Sequence, residues 1–166
     1  MKLSQFIPLS FICVLGIFPI AASAQLTVSG TEVTDSKTGL IWRRCPEGMS
    51  LSGSTCTGTP TPFTHEAALQ FAATQTGWRL PNIKELSSIV DKNVRIADKN
   101  LIYPAIDSTA FPATPAILFW SSSPFVSSPD RAWVIDFSSG VVGGVGGLGR
   151  NDPNFPHAVR LVRGGL

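Results

Sequence analysis

Gly77-Trp78-Arg79-Leu80-Pro81-Asn82-Ile83-Lys84-Glu85-Leu86 is the stretch on which the reading of this chain turns. Gly77 is placed to end one helix, Trp78 to Pro81 form a short extended link, and Asn82 opens a second helix. Glu85 stands three residues after Asn82, the spacing of a capping box, with Leu86, Ile89 and Val90 facing inward. Upstream, Thr64 caps a helix from His65 to about Thr74, whose apolar face is Ala67, Ala68, Phe71 and Ala72. Before that, Thr31–Thr34 and Leu40–Trp42 flank Asp35-Ser36-Lys37-Thr38-Gly39 and read as a β-hairpin. Downstream, Ile117–Trp120 and Ala132–Phe137 read as strands. Ala158–Arg163 alternates, with Val159 and Leu161 on one face and Arg160 and Val162 on the other, and reads as a final strand. Asp91–Ala116 contains Pro104, Pro112 and Pro115, and Val141–Pro156 is rich in Gly and Pro, so both read as long loops. Strands, two helices, a long loop and further strands make an α+β domain with a mainly antiparallel sheet.

Composition narrows the class. Of 166 residues only 14% are charged, against about 25% in an average globular protein, and 43% are hydrophobic. The 15 Gly and 13 Pro favour turns over long helices and exclude a coiled coil. A formal charge of +2 leaves no footprint for nucleic acid, which is not an expected partner.

Part of the apolar excess belongs to residues 1–24, which read as a secretory signal peptide. Lys2 gives the positive start, Phe6 to Ile20 the uncharged apolar stretch, and Ala22-Ser23-Ala24 the small residues for cleavage before Gln25. The rival is an uncleaved membrane anchor, against which stand Pro8, Pro19, Gln5 and several Ser. Residues 25–166 are then a single domain that leaves the cytoplasm, with no stable membrane insertion after cleavage. Cys13 departs with the signal, leaving Cys45 and Cys56, an even number in an oxidising place. A disulfide between them would stabilise the fold by somewhat under ~3 kcal/mol. A metal site, for which two further ligands are lacking nearby, and a reactive thiol pair are the alternatives.

Four stretches carry a likeness to a known family. They are Val33-Thr34-Asp35 with Thr38 to Trp42; Cys45 to Cys56 with Thr57-Gly58; Gly77 to Leu86; and Phe119 to Ser123 with Ala132 to Phe137 and Val159 to Gly165. Together they resemble the C-terminal domain of the Legionella collagen-like adhesin, a large bacterial family, over essentially Thr31 to Gly165. The resemblance implies a C-type-lectin-like fold and, from the adhesin, attachment through sulfated polysaccharides. No Gly-X-Y stalk precedes the domain in this sequence, so stalk-driven trimerisation is not assumed, and the oligomeric state stays open. The Glu-Pro-Asn and Trp-Asn-Asp calcium motifs of sugar-binding C-type lectins are also missing, so no metal is expected.

Each remaining motif has a plain reading beside a chemical one. Gly144-Val145-Gly146-Gly147-Leu148-Gly149 matches a dinucleotide fingerprint by letter. Asn151 to Pro156 cannot build the helix that would face a pyrophosphate, so no cofactor is expected. His65 reads as solvent-facing in the first turn of its helix, and no Ser sits in a Gly-x-Ser-x-Gly elbow, so catalysis is not expected. Trp42, Trp78, Trp120 and Trp133 read as core before they read as a sugar platform. If the Gly-rich loop folds beside the last strand, Arg150 and Arg160 would present forks to sulfate or carboxylate. Arg131, Arg150, Asn151, Asp152 and Arg160 are therefore the candidate ligand contacts, weighed against ordinary solvated charges. The expectation is a secreted, non-catalytic binding module for an anionic glycan or a surface protein. The alternative is an assembly component of a cell-envelope complex with no glycan ligand.

Overall fold

The computed structural model describes residues 25–92, 104–128, 131–143 and 155–165. Strand β1 (Leu26–Ser29) is followed by β2 (Glu32–Asp35) and β3 (Leu40–Arg43), then by β4 (Met49–Ser52) and β5 (Thr55–Gly58). Helices α1 (His65–Thr74) and α2 (Ile83–Ser88) come next, then β6 (Leu118–Pro124), β7 (Ala132–Asp136), β8 (Val141–Gly143) and β9 (Val162–Gly164). The strands form three antiparallel sheets, ordered β1-β2-β3-β9, β4-β5 and β6-β7-β8. The α+β, mainly antiparallel architecture read from the sequence is the one the chain adopts.

Local chemistry explains the elements that were legible. In the β2–β3 turn the Asp35 carboxylate accepts from the Lys37 N–H at 3.0 Å and from the Thr38 hydroxyl at 2.8 Å. Gly39 closes that turn at φ 70°, where a residue with a Cβ would be strained. Alternation then sends Val33, Leu40 and Trp42 into the core, and Glu32, Thr34, Ile41 and Arg43 to the other face. Thr64 caps α1 through the Ala67 N–H, and Ala68 and Ala72 are buried beneath it. Asn82 and Glu85 form the reciprocal capping box of α2, which buries Leu86.

The core falls into two clusters. One gathers Trp42, Leu86, Phe111, Phe119, Ile135 and Phe137 with smaller neighbours, and the other packs Trp120, Val134, Val159 and Leu161 against α1. Each fully buried large apolar side chain contributes roughly 1.5–3 kcal/mol.

Four expectations need correction. Residues 157–164 form a strand only at Val162–Gly164, not throughout the expected Ala158–Arg163, and Arg160 and Val162 share no open face. They form a spine with partners on several sides: His157 bridges Phe63, Ala158 bridges Phe119, Val162 bridges Arg79, and β9 pairs with β3. Val159, Arg160, Leu161 and Val162 are consequently all buried, because backbone pairing and packing enclose both faces. Secondly, His65 is completely buried, its Nε2 lying 2.9 Å from the Ser121 carbonyl oxygen. Thirdly, the described part of the Asp91–Ala116 segment holds no helix or strand, as a loop should, yet it buries Ala105, Ile106, Ala110 and Phe111 in the core. Finally, β1, β8 and the β4–β5 hairpin are strands that the sequence reading did not separate from their surroundings.

Candidate functional site

Trp78 stands where the link between the helices crosses the end of the large sheet. Its N–H donates to the Gln75 carbonyl at 2.9 Å, and the next residue, Arg79, pairs with Val162 through two backbone hydrogen bonds of 2.9 and 3.0 Å. The Arg79 guanidinium grips the Glu85 carboxylate as a two-pronged fork at 2.7 and 2.8 Å and also donates to the Gly164 carbonyl. Burial works to raise the Glu85 carboxyl, but hydrogen bonds from Arg79 and the Asn82 N–H outweigh it and hold the group below its ordinary value. One carboxylate thus ties the cap of α2, the link and the end of β9 together.

Beside Trp78 opens a cleft of about 540 Å³. Thr31, Glu32 and Arg43 from the large sheet form one wall. Cys45, Pro46, Glu47, Met49, Ser50 and Leu51 form the other, and Trp78 completes it. Arg43 and Arg163 leave the same face of the sheet, and their guanidinium carbons lie 5.1 and 4.9 Å from the Trp78 ring centroid. Both cations are attracted by the electron-rich face of the indole. Each is also paired: Arg43 Nη1 with both Glu47 oxygens at 2.9 Å, and Arg163 Nη2 with the Glu32 oxygens at 2.8 and 2.7 Å. Burial is the largest influence on Glu47 and pushes its carboxyl up, against the pull of Arg43.

The second wall is held by covalent and steric means. Cys45 and Cys56 are joined by a disulfide with a Cα–Cα distance of 5.6 Å, which clasps the β4–β5 hairpin to the end of β3. Gly48 enters β4 at φ 88°, and a Cβ there would stand 2.4 Å from the Thr61 backbone nitrogen, so only glycine fits.

Arg160 holds the base of this wall from inside. It is fully buried, with its guanidinium 4.8 Å above the Phe111 ring. Its Nη1 donates to the Arg43 carbonyl at 2.8 Å and to the Arg44 carbonyl, and its Nη2 to the Thr114 hydroxyl at 2.7 Å. Burial pushes its pKa down to about 9, with the negative charge of Glu47 working against that fall. The expectation that Arg160 presents a fork to a ligand is therefore corrected: its fork is spent on the protein's own oxygens. Arg131 is half-buried where the chain enters β7, its N–H bonded to the Ser128 carbonyl at 2.9 Å, and it does not line the cleft. Arg150, Asn151 and Asp152, with the Gly144–Gly149 motif, lie outside the described residues.

Of the four tryptophans, Trp42 and Trp120 are core, while Trp78 and Trp133 are half-buried. Trp120 is flanked by His65 at 5.2 Å and His157 at 4.5 Å between ring centroids. Burial lowers the pKa of His157, with a hydrogen bond involving Pro156 opposing it. Among the described residues no three His, Cys, Asp or Glu gather in a way that could hold a metal ion. No described helix is long and apolar enough to cross a membrane. The sequence reading missed Glu32, Arg43 and Glu47 as site residues. The signal was there in the exposed parity of β2 and β3, which places Glu32 opposite Arg43.

The family model of the Lcl C-terminal domain matches residues 31–163 of this chain. The chain belongs to that family. No curated protein and no solved structure matches it. In this Lcl C-terminal domain the matched span begins at Thr31, which lines the cleft, and ends at Arg163, which closes over Trp78.

Proposed function

We propose that this Lcl C-terminal domain is an exported, adhesin-like recognition module of the C-type-lectin-like kind, without catalytic chemistry of its own, whose ligand enters the cleft beside Trp78. The observation that carries the reading is the placement of Trp78. A residue of the sequence's most distinctive block is half-exposed in the wall of the cleft, and two arginine–carboxylate pairs hold it there. Aromatic and apolar lining with a few fixed polar groups is the usual make-up of a ligand site. Export is supported by the signal-like residues 1–24 and by a disulfide, which persists in oxidising compartments. Cleavage before Gln25 would leave the described fold entire, since β1 starts at Leu26.

The test is retention on immobilised glycans and on bacterial surface extracts by the purified domain and by Trp78→Ala. Retention that falls at least about tenfold in the variant, equivalent to 1.4 kcal/mol, supports the reading. Equal retention of the two proteins, with both folded, contradicts it.

A further inference from the structure

Taking the domain to be a recognition module, we infer that the Trp78 cleft takes an uncharged saccharide rather than a polyanion. The charge balance is the first ground. Glu32, Arg43 and Glu47 line the cleft, Arg163 lies beside it over Trp78, and the four form two closed pairs at 2.7 to 2.9 Å. Their charges cancel. A sulfate or carboxylate approaching either guanidinium meets a carboxylate that the fold itself holds beside it. That tethered competitor acts at a high effective concentration. No lysine lines the cleft to offer an unpaired positive charge.

The second ground is the hydrogen-bonding character that remains after pairing. An ionised carboxylate has about four lone-pair sites, and Arg163 and Arg43 engage Glu32 and Glu47 from one side each. The oxygens of Glu32, whose side chain is one-third exposed, therefore retain capacity to accept from hydroxyl donors, whereas Glu47 is buried. Ser50 and Thr31 are exposed at the rim and add hydroxyls that both donate and accept. Donors for carboxylate oxygens are what sugar hydroxyls supply and what sulfates lack.

The third ground is shape and apolarity. Trp78, Met49, Leu51 and Pro46 give the cleft a partly apolar lining beside its polar rim. A pyranose has the matching division, an apolar C–H face and a hydroxyl edge. The wall is also prebuilt, through the disulfide, Gly48 and the Arg160 anchor, so little ordering is needed on binding. An extended peptide is the competing occupant, since Met49, Ser50 and Leu51 of β4 bring main-chain groups to the same wall.

The experiment measures binding of the domain to an array of neutral oligosaccharides, to heparin, and to a random-sequence peptide library. It is done at low and high salt, from about 50 mM to about 500 mM, across which exposed charge interactions become strongly screened. The expected result is binding to a neutral oligosaccharide whose affinity changes less than about threefold over that range. Trp78→Ala and Ser50→Trp should each lower it at least tenfold, the second by filling the cleft without removing a packed residue. Val126→Ser, at an exposed position outside the cleft, should leave it unchanged. Two results overturn the inference but spare the recognition-module reading: Trp78-dependent binding to heparin that falls more than about tenfold with salt, or Trp78-dependent binding to peptide alone. Absence of binding to every probe by the folded domain overturns the inference together with that reading.

Discussion

Arg160 and Arg163 lie three residues apart in the same terminal segment, yet they do opposite work. Arg160 is wholly interior and turns its fork onto two main-chain carbonyls and a threonine hydroxyl. Arg163 keeps 41% of its side chain exposed, pairs with Glu32 and lies over Trp78. The difference arises from what surrounds each position. The main chain of residues 43–44 curves past Arg160 and leaves carbonyls that need donors, and a buried carbonyl without a partner is costly. At Arg163 the surroundings are solvent, a carboxylate and an indole, so the charge stays where a ligand could meet it. The first arginine builds the wall of the cleft and the second forms part of its rim. Stability should therefore follow the interior node, and recognition should follow the rim.

The largest expected effect is on stability. Arg160→Met should cost about 3 kcal/mol or more in urea unfolding, because the Arg43 and Arg44 carbonyls and the Thr114 hydroxyl lose their donors together. Arg160→Lys should recover less than half of that, since an ammonium cannot reproduce the planar fork. A loss under about 1 kcal/mol for Arg160→Met would mean that the interior node is dispensable.

Removing the clasp comes next. Cys45→Ser with Cys56→Ser should lower stability by about 2–3 kcal/mol in the same assay, since the disulfide constrains the unfolded chain around a short loop. It should also weaken ligand binding, because Cys45 lines the cleft. Unchanged stability together with unchanged binding would separate the hairpin from the site.

A smaller, pH-dependent effect follows from His157. Its folded pKa lies below 6.5 because burial disfavours the charged ring, so near that pH the unfolded chain holds more protons. The neutral ring's contribution is therefore fully present above about pH 6.5 and is lost as the pH falls toward the folded pKa. His157→Gln should reduce the drop in thermal midpoint between about pH 7.5 and about pH 5.5 relative to the parent domain. Parallel curves for the two proteins would show that His157 has no part in it. Glu47, whose folded pKa is raised, works in the opposite direction at lower pH, and comparing the two proteins cancels its contribution.

The smallest stability effect belongs to the rim. Glu32→Gln should change stability by under about 1 kcal/mol, as expected for a half-exposed pair. Its binding should nevertheless weaken, and binding lost without stability lost is the signature that distinguishes the rim from the interior node.

The sequence revealed what local chemistry determines. The Asp35–Gly39 turn, the Thr64 cap and the Asn82–Glu85 box rest on side chains within a few residues of the backbone groups they satisfy. The Cys45–Cys56 pairing was legible because just two cysteines remain after the first 24 residues. What escaped depends on long-range partners. Arg160 alternates as a surface residue would, but Arg43, Arg44 and Thr114 reach it from distant segments and enclose it. His65 lies in a first helical turn, a position often exposed, yet Ser121 and Trp120 from β6 cover it. The same blindness affected the site: Glu32, Arg43, Trp78 and Arg163 are scattered over more than a hundred residues and meet only through the β2-β3-β9 order. Alternation along a strand reports which residues share a face, not whether another segment covers that face.

Chemical-shift mapping of the labelled domain during titration with the neutral oligosaccharide selected on the array would locate the ligand. Perturbations should cluster at the Trp78 indole, the Arg43 and Ser50 amides and the Arg163 guanidinium, with Arg131 and Ser128 unmoved. Shifts centred on Arg131 and Ser128, with Trp78 silent, would contradict the placement of recognition in the cleft.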